Sequence, residues 1–306
     1  MMKTQVHGAR LLLSAGIAVT LAIGMLAVGR TANAAGPAPV GLGTAAPFAV
    51  LAGTPAVTNT GATTITGDLG IHPAAAVTGF PPGIVNGTIH AADAVALQAK
   101  SDLVIAYDDA AGRTPVTVVA GGTLGGRTLV PGVYNAGGAT LDLTGTLTLD
   151  GQNDPNSVWI FQATSDLITA SSSSVRFING GQPCNVFWQV TSSATLGSGS
   201  SFAGTILALT SITMNSGVTV DGRALARNGN VTLINDTITR STCSTPTPTP
   251  SPTPTASPSE TPPATDAVAT TDVPGSRPTP VILVGILLLA SVVVVSRRSL
   301  RTNRTR

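Results

Sequence analysis

The chain contains few charged and few aromatic residues. Of its 306 residues, 10% are charged and 3% are aromatic, whereas about 25% of an average globular sequence is charged. This composition excludes a helical protein covered with ion pairs, and it argues against an enzyme with a conventional aromatic core. The sequence also lacks a basic patch that could hold a phosphate backbone, so no nucleic-acid partner is expected.

The formal net charge of +2 hides an uneven distribution of charge. Eight of the 16 basic residues lie within residues 1–34 and 281–306, and neither segment contains an acidic residue. The part between them is therefore mildly acidic, and the basic character belongs to the two ends.

The first 34 residues have the pattern of a secretory signal peptide. Lys3 and Arg10 precede an apolar run over residues 11–28, and residues 32–34 (Ala-Asn-Ala) have the small-residue pattern of a cleavage site. We therefore expect export with cleavage after residue 34. The apolar run is longer than in most signal peptides, so an uncleaved anchor is the alternative.

The other end has the pattern of a single membrane anchor. Residues 281–296 form an apolar run, and the tail of residues 297–306 contains five arginines. Because basic residues mark the cytoplasmic end of a membrane helix, we predict a transmembrane helix with a basic cytoplasmic tail and the preceding domain outside the cell. Residues 244–280 are rich in Pro, Thr and Ser, which predicts an extended stalk between domain and membrane.

One domain is predicted between these segments, at residues 35–243, and its length suffices for a single core. It contains both cysteines of the chain, Cys184 and Cys243. Export favours a disulfide between them, which would tie the end of the domain to its middle, with two free thiols as the alternative.

Alternation of apolar and polar residues dominates this domain. In residues 140–150 the leucines fall at odd positions and Thr or Asp fills every even position, which predicts a strand with one buried face. Residues 91–110 break the pattern, because they contain no Gly or Pro and place apolar residues at helical spacing. We predict one long helix there, packed along the flank of the strands through an alanine-rich side.

A repeat of 18 residues relates three successive segments of the domain. The segments are residues 185–202, 203–220 and 221–238. Their alignment gives columns of buried aliphatic residues and one polar column, formed by Thr195, Thr213 and Thr232. Short coils with aligned columns indicate a β-solenoid, in which stacked coils bury the face that one coil alone could not. An antiparallel β-sandwich is the alternative, although it would not require aligned columns.

The sequence shows no catalytic or metal-binding pattern. Neither His72 nor His90 has a second His or a Cys two to four residues away, and the aspartates of the domain do not align in the repeat. The glycine motifs of nucleophile elbows, phosphate loops and dinucleotide sites are missing as well. We therefore expect no enzymatic activity, no cofactor and no metal.

Several stretches resemble the DUF3494-type microbial ice-binding, or antifreeze, proteins. They are residues 78–83 (TGFPPG), 153–162 (NDPNSVWIFQ), 184–190 (CNVFWQV), 206–213 (ILALTSIT) and 221–227 (DGRALAR). The resemblance extends over residues 42–240. It implies a mainly β fold, a right-handed discontinuous β-solenoid of triangular section with one long flanking helix, and ice or ordered water as the partner.

The ice face of that family often carries T-[AG]-x-[TN] segments. Residues 60–63 match this pattern fully, residues 198–201 and 216–219 match it with serine in place of threonine, and residues 171–174 fall in the same register. The resemblance thereby implies a set of ice-binding residues. They are Thr60, Thr63, Ser171, Ser174, Ser198, Ser201, Ser216, Thr219 and Thr237.

These observations predict a cell-surface protein that adsorbs to ice through a flat face of Thr and Ser. Adsorption would inhibit ice growth or recrystallisation, or tether the cell to ice. The alternative is a stalked adhesin or scaffold on the same solenoid, which would bind a surface carbohydrate or protein and have no action on ice.

Overall fold

The computed structural model describes residues 36–244. The predicted signal peptide, the stalk beyond residue 244, the predicted transmembrane helix and the basic tail lie outside these residues. Within residues 36–244, no helix is both long enough and apolar enough to cross a membrane.

The described part of the chain is built almost entirely from short β-strands. The strands are β1 (Phe48–Ala52), β2 (Ala56–Thr60), β3 (Thr64–Thr66), β4 (Asp68–Ile71), β5 (Ala76–Thr78), β6 (Ile84–Asn86), β7 (Ile89–Ala91), β8 (Val116–Val118), β9 (Thr128–Leu129), β10 (Gly132–Asn135), β11 (Leu141–Leu143), β12 (Thr146–Asp150), β13 (Trp159–Ala163), β14 (Leu167–Thr169), β15 (Ser174–Ile178), β16 (Val186–Val190), β17 (Ala194–Leu196), β18 (Ser201–Ala208), β19 (Ile212–Met214), β20 (Thr219–Ala226), β21 (Val231–Ile234) and β22 (Thr237–Thr239). One α-helix, α1, spans Ala94–Ala111, and three 3-10 turns lie at Gly43–Ala45, Ala120–Gly122 and Pro183–Asn185.

All strand pairings among the described residues are parallel, and the coils stack into a solenoid, as the repeat predicts. The solenoid has three faces, as the family resemblance implies. The threonine face is the seven-stranded sheet, in the order β11-β14-β17-β19-β21-β2-β5. The covered face contains β8, β10, β13, β16, the ends of β18 and β20, then β1, β4 and β7. The mixed face contains β9, β12, β15, the starts of β18 and β20, then β22, β3 and β6.

The order of the coils does not follow the order of the chain. Strand β1 pairs with β20 on one side, at Val50 and Ala224, and with β4 on the other, at Leu51 and Gly70. The first two coils therefore stack on the last coil, so the solenoid is discontinuous, as the family resemblance implies.

The single helix lies along the covered face. Its buried residues, Ala96, Ala99, Lys100, Leu103, Ala106, Tyr107 and Ala110, include the predicted alanine-rich side. The helix begins at Ala94, three residues later than predicted, because the carboxylate of Asp93 accepts the backbone N–H of Ala96 at 2.8 Å and caps the first turn. Val95, one of the apolar residues at helical spacing, is 49% exposed and does not belong to the contact side.

The few aromatic residues concentrate inside the coils. Phe161 and Trp188 stack with ring centroids 4.1 Å apart, and Tyr134 and Phe202 extend the row on either side. Outside this core, Cys184 and Cys243 form a disulfide with their Cα atoms 5.4 Å apart.

Candidate functional site

Five threonines form one column on the threonine face. Each stands directly opposite the next in a neighbouring coil, and neighbouring strands lie about 4.8 Å apart. These side chains face outward because their neighbours in the chain face inward. At Thr213, for example, Ile212 and Met214 on either side are fully buried, which leaves the threonine side chain on the outer surface. From one coil to the next, the column consists of Thr195, Thr213, Thr232, Thr58 and Thr78.

Hydrogen bonds between side chains order this column. The hydroxyl of Thr58 donates to Oγ1 of Thr232 at 3.3 Å, and Nδ2 of Asn230 donates to the same oxygen at 2.9 Å. The hydroxyl of Ser211 donates to Oδ1 of Asn230 at 2.7 Å. Because threonine is also β-branched and stiff at χ1, the outer oxygens are held in defined positions.

The column of hydroxyl groups ends at Thr195, and other residue types occupy the next two places. Ile168, 42% exposed, is the residue opposite Thr195, and Asp142 stands opposite Ile168. The regular hydroxyl surface therefore covers the coils from β17 to β5.

Four of the predicted residues form a second column, at the corner between the threonine face and the mixed face. The carbonyls of Ser198, Ser216 and Thr60 accept backbone N–H bonds from the adjacent coil at 2.9–3.0 Å, as does the carbonyl of Ile234 between them. Ser171 occupies the equivalent place one coil earlier. All four hydroxyl residues are exposed. Ile234 interrupts the column because it has no hydroxyl group.

The chain turns at this corner through residues in the left-handed backbone conformation. The residues that follow this column all have positive φ, and they are Ser172, Gly199, Gly217, Asn235 and Gly61. Glycine or asparagine fills four of these five places, because such residues tolerate this conformation best. The side chain of Asn235 also accepts the N–H of Ala62 at 3.0 Å, which joins two coils at the corner.

Four more of the predicted residues form a third column, on the mixed face. Ser174, Ser201, Thr219 and Thr237 stand directly opposite one another in successive coils. Thr146 and Thr64, which the sequence did not single out, extend this column at its two ends. The neighbouring outward positions include the charged side chains of Arg176 and Asp221, both of which are exposed.

The prediction for Thr63 is wrong. Thr63 is fully buried, and its Oγ1 accepts the backbone N–H of Asp236 at 3.0 Å. Thr64 takes the outward place opposite Thr237. The expectation that all predicted residues share one flat surface is also corrected, because the other eight occupy two columns, one at the corner and one on the mixed face.

Asp236 fixes the corner from the inside. It is 1% exposed, its Oδ1 accepts the N–H of Val218 at 2.8 Å and its Oδ2 accepts the N–H of Ile234 at 2.7 Å. Burial raises the pKa of this carboxyl to about 6, although the two backbone hydrogen bonds oppose the rise. The carboxylate thus satisfies backbone donors that the turn would otherwise leave unpaired.

Residues 36–244 contain no group of three or more His, Cys, Asp or Glu side chains arranged to hold a metal ion. The outer surface of hydroxyl columns is the arrangement that requires a functional explanation.

Comparison with known proteins identifies the family of this chain. The model of the ice-binding-like family matches residues 50–239, which is more than half of the chain. The chain belongs to the ice-binding-like family. An ice-binding protein of Nostoc sp. (strain HG1) is 53% identical over 193 residues, covering 63% of this chain and 71% of that protein. An ice-binding protein of Colwellia sp. is 35% identical over 244 residues, covering 74% of this chain and 93% of that protein.

Solved structures of ice-binding proteins share the fold. One from an Antarctic biological consortium has a TM-score of 0.65 and 47% identity, over 66% of this chain and 91% of that one. Another, from the Antarctic ascomycete Antarctomyces psychrotrophicus, has a TM-score of 0.64 and 41% identity, over 67% of this chain and 99% of that one. Because the second structure consists almost wholly of the matched domain, this domain folds without further segments in that relative.

Proposed function

We propose that this protein adsorbs to ice and that the threonine face is the surface it uses. The observation that carries the proposal is the register of Thr195, Thr213, Thr232, Thr58 and Thr78. Hydroxyls repeated at the strand spacing of about 4.8 Å anchor a layer of water. The methyl groups between them limit disordered hydration, so the layer joins a growing ice plane and blocks growth there.

The threonine face is a better candidate than the mixed face for two reasons. Serine occupies two of the six places in the mixed column, and serine lacks the methyl group and the β-branching that stiffens threonine. Charged side chains, Arg176 and Asp221, also stand in the next outward positions on the mixed face. The corner column with Thr60 borders the threonine face and widens the surface available to ice.

The same substitution on two faces of one coil tests this proposal. Thr213→Tyr raises a bulky ring in the middle of the threonine face, whereas Thr219→Tyr does the same on the mixed face of the same coil. In thermal-hysteresis and recrystallisation assays on residues 36–244, we expect Thr213→Tyr to lose most of the activity and Thr219→Tyr to keep it. The reverse result would assign ice binding to the mixed face, and loss in neither variant would rule out both faces. Circular dichroism of each variant checks the fold.

We also propose that the protein acts at the outer surface of the cell, held by residues 281–296 and carried on the stalk of residues 244–280. The proposal is supported by the apolar run, the five arginines after it and the Pro/Thr/Ser-rich spacer. Protease treatment of intact cells should release the domain, while carbonate washing should leave the uncut chain in the membrane fraction. Recovery of the whole chain in the medium would contradict membrane anchoring.

A further inference from the structure

A groove at the corner between the covered face and the threonine face has a different chemistry. It has a volume of about 460 Å³ and lies between α1 and the turns at the ends of β1, β4 and β20. The helix contributes Leu97, Lys100, Ser101 and Val104, and the turns contribute His72 and Arg227. None of the described residues that line this groove is acidic.

Lys100 lies at the base of the groove and has no carboxylate partner among the described residues. The residue is 9% exposed, and its ammonium group donates to the backbone carbonyls of Ala226 and Arg227. Because an ammonium group has three N–H bonds, one donor remains for a ligand. A buried cation without an opposite charge is costly, and a bound anion would offset that cost.

Arg227 adds further free donors beside Lys100. Its Nη1 donates to Asp108 at 3.1 Å, and its guanidinium group lies 5.3 Å from the ring centre of Tyr107. Within residues 36–244, its Nε and Nη2 make no hydrogen bond, and the ring of His72 makes none either. Asp108 and Tyr107 therefore hold the guanidinium group in place, while its Nε and Nη2 remain available as donors.

The walls of the groove are apolar on the helix side. Leu97 is 52% exposed, and Val104 is half-buried one helical turn from Lys100. A ligand that fits must combine an oxyanion with an apolar face of several carbon atoms. The ring of an acidic sugar has both, together with hydroxyls that Ser101 and Asn228 can reach.

We propose that this groove binds an acidic saccharide, with the sugar carboxylate on Lys100, Arg227 and His72 and the sugar ring against Leu97 and Val104. Charge-assisted hydrogen bonds to a carboxylate supply the affinity, and the apolar wall selects a sugar over a free ion. The protein would thus hold an anionic polysaccharide at the corner that borders the threonine face.

The charge on Lys100 gives this binding a distinctive pH dependence. Burial first, and the nearby guanidinium of Arg227 second, lower the pKa of Lys100 to about 8. The other charged or titratable groups facing it are His72 across the groove and Asp108 behind Arg227. The affinity for an acidic saccharide should fall about tenfold between pH 7 and pH 9, as Lys100 loses its proton and the binding-competent fraction shrinks.

The test uses residues 36–244 and a trimer of galacturonic acid in isothermal titration calorimetry. The matched neutral trimer of galactose, sodium acetate and sodium sulfate serve as comparison ligands. Arg227→Gln should weaken binding of the acidic trimer at least tenfold, whereas Arg176→Gln, an equal loss of charge on the mixed face, should change it less than twofold. Thr213→Tyr should leave saccharide binding unchanged, which separates this site from the ice surface.

Three results would overturn the proposal. The neutral trimer could bind as tightly as the acidic one, Arg227→Gln could behave like Arg176→Gln, or acetate and sulfate could bind as tightly as the saccharide. A variant can lose binding because it fails to fold. The pH profile avoids this ambiguity, because it is measured on the unaltered domain. An affinity that stays constant from pH 7 to pH 9 would exclude Lys100 from the site.

Discussion

Thr63 and Thr64 are neighbours in the chain and point in opposite directions. Oγ1 of Thr63 accepts the N–H of Asp236 inside the corner, while Thr64 stands opposite Thr237 on the outer surface. Threonine therefore satisfies a buried backbone donor at position 63 and contributes a hydroxyl group to the outer surface at position 64.

This difference predicts unequal effects of one substitution. Thr63→Val keeps the shape of the side chain but leaves the buried N–H of Asp236 without an acceptor, which should cost about 1–3 kcal/mol of unfolding free energy. Thr64→Val removes only an outer hydroxyl and should change stability by less than about 0.5 kcal/mol. Urea denaturation of both variants checks the prediction, and equal losses would contradict the inward placement of Thr63.

The threonine column should be extendable. Ile168 stands next to Thr195 in the register and is 42% exposed, so Ile168→Thr adds a sixth hydroxyl to the column. We expect a larger thermal hysteresis at equal protein concentration. Ile178, 43% exposed at the end of β15, provides the control, because Ile178→Thr makes the same chemical change away from the threonine face. An equal gain in both variants would show that the position in the column does not matter.

Asp236 should make stability depend on pH. The folded-state pKa of about 6 lies above the value of about 3.9 for a free aspartate. The folded state therefore binds the proton more tightly, and this stabilising contribution is full below about pH 4 and is lost as the pH rises through 6. The change is on the order of 3 kcal/mol.

The measurement is the difference between unaltered protein and Asp236→Asn in urea midpoints from pH 4 to pH 7.5. The unaltered protein should lose stability relative to the variant as the pH rises. Parallel curves for the two proteins would contradict a raised pKa at Asp236.

The disulfide should contribute strongly to stability. Cys184 and Cys243 are 59 residues apart in the chain, and a cross-link over a loop of that length stabilises by about 4 kcal/mol in the chain-entropy description. Replacing both cysteines with serine should lower the unfolding free energy by an amount of that order. Ice activity measured well below the melting temperature should persist, because neither cysteine lies on the threonine face. A double variant with unchanged stability would refute the structural role.

The repeat in the sequence was sufficient to predict the middle of the solenoid. The 18-residue spacing placed Thr195, Thr213 and Thr232 in one column, and the strand pairing confirms that alignment. These coils follow one another in the chain, so neighbouring segments in sequence are also neighbours in space.

The same reasoning failed where distant segments meet. Residues 60–63 match the surface pattern, but the pairing of β3 with β22 places Thr64 rather than Thr63 in the outward column. A shift of one residue moves a side chain to the opposite face of a strand. The partners are 173 residues apart, and no comparison of consecutive repeats fixes the register between them. Thr58 and Thr78 were missed for the same reason.

The placement of β1 between β20 and β4 has a consequence for how the molecule is made. During synthesis, the segment that leaves the ribosome last within the domain, β21 and β22, becomes the middle of the stack. The two early coils pair only with β21, β22 and the end of β20, so no strand pairing joins them to the rest of the series until this last coil has been made. The longest row of threonines is then completed in a single late event, and a chain that stops short of it has two incomplete surfaces.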